Sequence, residues 1–262
     1  MEQIKLTRPA TSLLRPIVYW VATGIIVLET AAGSEWDLVR NGVVRDVFAH
    51  LGYPLYLLTI LGIWKLPAAI VLVIPRFGRV KEWAYAGLFF VYTGASTSHF
   101  IRGDRSEPWG PLLFALLTVM SWALRPESRK WTAPVVQPAS NVVRITYWIT
   151  TVLLAFCILS GGAFQLVGAR ESVEGMARLG YPAFFVGILG FWKVLGGIAI
   201  LIPGFPRVKE WAYAGIVFDL TGAAVSNAVS GMPAWHAAAP LILVTMALLS
   251  WAWSPSVRRP AR

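Results

Sequence analysis

Arg79-Val80-Lys81-Glu82-Trp83-Ala84-Tyr85-Ala86-Gly87 returns letter for letter at 207–215, 128 residues further along a chain of 262. Outward from this stretch, Gly62-Ile63-Trp64-Lys65 returns as Gly190-Phe191-Trp192-Lys193, and Leu51-Gly52-Tyr53-Pro54 as Leu179-Gly180-Tyr181-Pro182, both at the same offset of 128. Between 51 and 87, 22 of 37 positions match without a gap, which only a duplication explains. A fixed internal period makes the repeat the unit of folding. The sequence therefore divides into a first unit, 1–128, a linker, 129–143, holding Arg129, Lys130, Pro134 and Pro138, and a second unit, 144–262.

Composition says what each unit is made of. Hydrophobic residues are 56% of the chain and charged residues 14%, against about 25% charged in a soluble domain. A crossing of the hydrocarbon core takes about 20 apolar residues in a helix. Eight segments approach that: 16–34, 54–75, 83–101, 109–124, 145–165, 182–203, 211–229 and 235–253. Pro54, Pro75, Pro182 and Pro203 stand at their ends, where proline is tolerated or stops a helix. The alternation of a membrane barrel strand is missing. The expected fold is all-α and polytopic, eight transmembrane helices in two four-helix bundles. Segment 16–34 follows basic residues as a signal peptide would, but its copy at 145–163 lies deep in the chain, so both read as retained helices. Trp20, Trp83, Trp109, Trp122, Trp211, Trp235, Trp251 and Trp253 fall where apolar runs meet charged ones, as interfacial anchors do.

The net charge of +10 is spread in short clusters between apolar segments, so it argues for membrane topology and against a nucleic-acid partner. Of 23 Lys and Arg residues, 15 fall on the side of both termini, 6 on the other, and Lys65 and Lys193 inside spans. Both termini are thus expected in the cytoplasm. Four spans per unit is an even number, which makes the repeats parallel, related by an axis along the membrane normal. The single cysteine, Cys157, excludes an internal disulfide and a paired-thiol redox centre.

Charged groups inside a span cost about 2.5–3.5 kcal/mol each on the mildest scale and need a reason. Lys65, Lys193 and Asp219 fall near mid-span, Glu29 and His99 nearer the outer side. Lys193 has Asp219 at similar depth, whereas the copy of Asp219 is Val91, which leaves Glu29 as the acid for Lys65. The copies of Glu29 and His99 are Cys157 and Asn227. These pairs read either as clamps between helices or as a polar site on a cavity. Glu82 and Glu210, at the starts of their spans, read as dipole-favoured helix caps. His50, His99 and His236, with Asp104, fall on the outer side without metalloprotein spacing, so no metal site is expected.

Leu-Gly-Tyr-Pro, Gly-x-Trp-Lys, Lys-Glu-Trp-Ala-Tyr-Ala-Gly and Thr-Gly-Ala (93–95 and 221–223) resemble the DoxX-like family of bacterial membrane proteins, in both halves of the chain. Ser98, His99, Gly103 and Asp104 resemble that family's outer His and Gly-Asp stretch, from which the second half departs at Asn227. The resemblance implies a four-helix unit in a bacterial inner membrane. Some members are named as subunits of a thiosulfate:quinone oxidoreductase and others are linked to redox-stress complexes, which implies a quinone as ligand or cofactor and a redox partner protein.

Three functions stay open. One is a bundle cavity that binds a lipophilic, quinone-like molecule, with Lys65, Lys193, Asp219, Trp64, Trp192 and Tyr92 as ligand-binding residues. Another is a membrane enzyme of isomerase, cyclase or epoxide-opening type. There Glu29 would donate a proton, assisted by His99 or Lys65, and aromatic faces would steady a developing cation. The third is an assembly factor with no ligand.

Overall fold

The computed structural model describes residues 11–132 and 140–254. Lys5, Arg8, Arg258, Arg259 and Arg262, counted above for orientation, and Pro134 and Pro138 of the linker lie outside them. Among the described residues ten α-helices run in the order α1 (Thr11–Val39), α2 (Gly42–Leu51), α3 (Tyr56–Val73), α4 (Gly78–Arg102), α5 (Trp109–Leu124), α6 (Asn141–Leu166), α7 (Arg170–Arg178), α8 (Ala183–Leu201), α9 (Pro206–Val229) and α10 (Ala234–Trp253), with no strand. A 3₁₀ turn, Glu127–Arg129, follows α5.

Among the described residues six helices are long and apolar enough to cross a membrane: α1, α3, α6, α8, α9 and α10. The expected count of eight meets two shortfalls. Helix α5 has 16 residues, about 24 Å at 1.5 Å per residue, against a core of about 30 Å. Helix α4, the copy of α9, has 25 residues but is more polar. Two short helices, α2 and α7, were not expected. They occupy equivalent places before the Leu-Gly-Tyr-Pro turns, and Gly52 and Gly180 close these stretches at φ 80° and 82°.

The first unit is a ring in which α1 packs on α3 and α5, and α4 closes it against both. The second repeats this with α6, α8, α9 and α10. Each bundle is tied by the same polar knot. Ser121 lies 2.7 Å from the Thr23 hydroxyl and 2.8 Å from the Tyr85 hydroxyl. Ser250 lies 2.7 Å from Thr151 and 2.8 Å from Tyr213. Hydroxyl pairs are the expected glue where helix faces have no hydrophobic gain over lipid. Outward faces are apolar and bare, for instance Leu28, Ile63, Phe156 and Ile242.

The units join mainly through α4 and α9. Contacts there come in reciprocal pairs: a Cβ on Gly87 would meet Phe218 Cε2 at 3.1 Å, and one on Gly215 would meet Phe90 Cε2 at 3.0 Å. Trp64 packs edge-on to Phe218 at 4.9 Å, and Trp192 to Phe90 at 5.0 Å. At one end of this seam Pro54 faces Gly180 and Pro182 faces Gly52.

The repeated Arg-Val-Lys-Glu-Trp stretch lies inside α4 and α9 rather than before them, and its Lys and Glu side chains are buried. Lys81 donates to the carbonyls of Val71, Leu72 and Ile74, and Lys209 to that of Ile200 at 2.9 Å. These are orphan acceptors at the C-terminal ends of α3 and α8, which a cation suits. Glu82 and Glu210, expected as helix caps, lie past the first turn and are 0% and 1% exposed. Glu82 accepts from Arg125 at 2.8 Å, Trp122 at 2.7 Å and Trp211 at 3.0 Å. Glu210 accepts from Arg79 at 2.9 Å, Trp83 at 3.0 Å and Trp251 at 2.9 Å. Four of the tryptophans singled out above, Trp83, Trp122, Trp211 and Trp251, thus bond the seam carboxylates, while Trp20, Trp109 and Trp235 are exposed.

Candidate functional site

Helix α1 runs past the expected boundary at 34 to Val39 and so carries Asp37 into the bundle. Asp37, 3% exposed, accepts from Lys65 Nζ at 2.7 Å. The acid that pairs with Lys65 is therefore Asp37, which lies beyond the expected end of the first span, and not Glu29. Glu29 sits two helical turns earlier on α1 and accepts from the Tyr92 hydroxyl, which also lies 2.9 Å from Thr30 Oγ1. The groups adjoin: a Cβ placed on Gly33 would be 3.4 Å from Lys65 Nζ and 3.5 Å from Glu29 Oε1. Gly33 thus leaves open the space between an ammonium and a carboxyl. The cluster offers a proton carrier, a phenol and a cation within one apolar bundle.

In the second unit that cluster is dismantled. Cys157, Ile158, Gln165 and Leu220 stand where Glu29, Thr30, Asp37 and Tyr92 stand in the first. Lys193 Nζ and Asp219 Oδ2 are 3.3 Å apart, an ion pair without hydrogen-bond alignment, so this Asp219 oxygen has no hydrogen-bond partner. The Gln165 carbonyl oxygen is buried and equally unpartnered. The structure brings Glu29 and Tyr92 together, and Lys193 and Asp219, but His99 lies apart from the first cluster.

His99, in the last turn of α4, donates from Nδ1 to Asp104 Oδ2 at 2.6 Å. His50, in the last turn of α2, donates from Nε2 to Asp104 Oδ1 at 2.8 Å. Gly103 takes φ 81° to cap α4, and this reversal turns Asp104 back on His99. The hydrogen bond from His99, followed by that from His50, holds the Asp104 carboxyl below the usual carboxylate range. His236 is separate, its ring tilted against that of Trp235 with centroids 3.5 Å apart.

Between the units lies a cleft of about 300 Å³, lined by Thr97 and Ile101 of α4 and by Phe184, Gly187, Ile188, Phe191 and Trp192 of α8. Of the expected ligand-binding residues it includes Trp192. Lys65, Lys193, Asp219 and Tyr92 are engaged in the polar clusters, and Trp64 in the seam. Phe184, Phe191 and Thr97 were not singled out from sequence. An apolar run offers no mark by which a cleft-lining phenylalanine differs from a lipid-facing one.

The profile of the DoxX-like family matches residues 21–121 and, a second time, residues 149–250. No curated protein and no solved structure is similar enough to match. The two matches cover well over half of the chain, and the chain belongs to the DoxX-like family.

Proposed function

We propose that this tandem DoxX-like chain is an eight-span protein of the bacterial inner membrane, with both termini cytoplasmic, that holds a lipophilic, quinone-like molecule between its two units. The supporting observation is the cleft between α4 and α8: three aromatic rings, two isoleucines and one hydroxyl, Thr97, in about 300 Å³. Pockets between bundle helices with few polar groups are the ordinary form of a small-molecule site. Planar rings suit aromatic walls, and Thr97 supplies a hydrogen bond for a carbonyl. No thiol pair or other redox group of the chain itself is in the sequence, so a redox role runs through a partner protein that reduces or oxidises the bound molecule.

Gly187 provides the test. Gly187 lines the cleft and a Cβ there meets nothing within 4 Å, so a side chain added at this position starts in open space. Binding of decylubiquinone, read by quenching of tryptophan fluorescence, should be saturable in the wild type and lost in Gly187→Leu at unchanged thermal stability. Equal binding by the variant sinks the cleft as the site.

A second reading has its own support in the Glu29–Tyr92–Lys65–Asp37 cluster, since ionisable groups inside a membrane bundle point to function by default. Here Glu29 protonates a lipophilic epoxide, alkene or carbonyl, and the second unit is a scaffold that kept the fold without the acid. Glu29→Gln would then abolish the chain's cellular role while Gly187→Leu leaves it intact. The reverse pattern supports the quinone site.

A further inference from the structure

His50, His99 and Asp104 come from three places in the chain, the ends of α2 and α4 and the turn after Gly103, and converge on one point. Their ligand atoms, two imidazole nitrogens and one carboxylate oxygen, all lie within 4.8 Å of one another. We propose that these three residues form a binding site for a zinc-class divalent transition-metal ion, closed by two imidazole nitrogens and one carboxylate oxygen, with a fourth position for water.

The geometry is close to what such an ion needs. With bonds of about 2.0–2.2 Å, tetrahedral ligands stand about 3.4 Å apart. Here each nitrogen is 2.6–2.8 Å from its carboxylate oxygen, so entry of the ion opens each nitrogen–oxygen pair by less than about 1 Å, while the two nitrogens, within 4.8 Å of each other, close on it. Protons balance simply. Each imidazole now presents its N–H to Asp104, and on binding that nitrogen becomes the ligand while the other ring nitrogen carries the proton. The ion takes the place of the two shared hydrogens, and neutral imidazoles lose none.

Burial is graded as an open metal site requires. His99 is 8% exposed and Asp104 13%, which fixes two ligands, while His50 at 49% faces water and gives the ion its way in. An N₂O set selects zinc, cobalt, nickel or copper over magnesium and calcium, which favour all-oxygen shells. The second unit is a built-in contrast: Arg178, Asn227 and Met232 occupy the three equivalent positions and supply no such set. The loss of all three together in one repeat fits ligands that are useful only as a group. The remaining histidine, His236, lies outside the cluster.

The test is a Co²⁺ titration of tag-free, full-length protein in detergent, followed by its visible d–d absorption, with Zn²⁺ and Mg²⁺ as competitors. The expected result is one Co²⁺ per chain, displaced by equimolar Zn²⁺ and not by a hundredfold excess of Mg²⁺. His50→Ala and Asp104→Asn should each weaken binding at least tenfold, and His236→Ala should leave it unchanged. Because His50 is half exposed, His50→Ala keeps the fold, and a helical melting curve in the absence of metal verifies this. Zn²⁺ should raise the melting temperature of the wild type but not of His50→Ala. Absence of a stoichiometric Co²⁺ spectrum in the wild type would reduce the cluster to a hydrogen-bonded clasp and overturn the proposal. So would binding that survives in His50→Ala.

Discussion

Glu82 accepts the indole N–H of Trp211 at 3.0 Å, and Trp83 donates the same bond back to Glu210 at 3.0 Å. The duplicated motif is thus its own partner across the seam. Its cation is not symmetric. Glu82 is met by Arg125 of its own unit, whereas Glu210 is met by Arg79 of the other, because Ser254 stands where a second Arg125 would be.

Removing either carboxylate should therefore have unequal consequences. In Glu82→Gln, Arg125 is left 1% exposed without its counter-ion, a loss of about 3–5 kcal/mol. In Glu210→Gln, Arg79 keeps 23% exposure and its stacking on Trp251 at 3.8 Å, and the loss should be about 1–3 kcal/mol. Thermal unfolding in detergent should place Glu82→Gln well below Glu210→Gln. Equal losses would mean that the arginines are interchangeable.

Lys65 and Lys193 should differ in the same way. Asp37→Asn breaks an aligned pair that is almost fully buried, and should destabilise by about 3 kcal/mol. Asp219→Asn disturbs a pair at 3.3 Å with no aligned hydrogen bond, and should cost less than Asp37→Asn because no hydrogen bond is lost with the charge. Asp37→Asn combined with Lys65→Met should recover most of the first loss, since no charge is then stranded. A double variant as unstable as the single one would show that the pair is not the cause.

Glycine positions separate packing from free space. A Cβ on Gly190 would stand 2.9 Å from Gln165 Cβ, the Gly162 carbonyl oxygen and the Leu166 nitrogen, two of them backbone atoms. Gly190→Ala should cost about 1–3 kcal/mol by forcing α6 and α8 apart. Gly222→Ala meets nothing within 4 Å and should be neutral or slightly stabilising, by up to about 1 kcal/mol, from helix propensity. Melting curves of the two variants give the comparison directly.

Topology can be read from chemical labelling. In a Cys157→Ser background, which removes the one exposed native thiol, cysteines at 130 and at 105 should react from opposite faces of sealed vesicles. Reaction of both from one face would remove the span formed by α5, the 16-residue helix between them.

The sequence by itself determined the duplication, the all-helical class, most helix positions and the membrane-compatible surface. Each rests on the order of residues along the chain: identity at a fixed offset, and the length of apolar runs. The apolar runs stop where charge begins, but the helices do not. Lys81, Glu82 and Asp37 are charged yet belong to helices and are buried, because partners on other elements compensate them.

The tertiary structure alone decided those partners. Asp37 rather than Glu29 pairs with Lys65 because α1 continues beyond its apolar stretch and turns Asp37 toward α3. The Lys-Glu-Trp motif was legible as a motif but not as a joint, since half of the side chains that meet its two glutamates come from the other repeat. His50 and His99 stand 49 residues apart, and only the turn at Gly103 and the docking of α2 bring their rings to one carboxylate. A hydrogen bond or ion pair acts over about 3 Å, and proximity of that kind is a property of the packed helices, not of spacing along the chain.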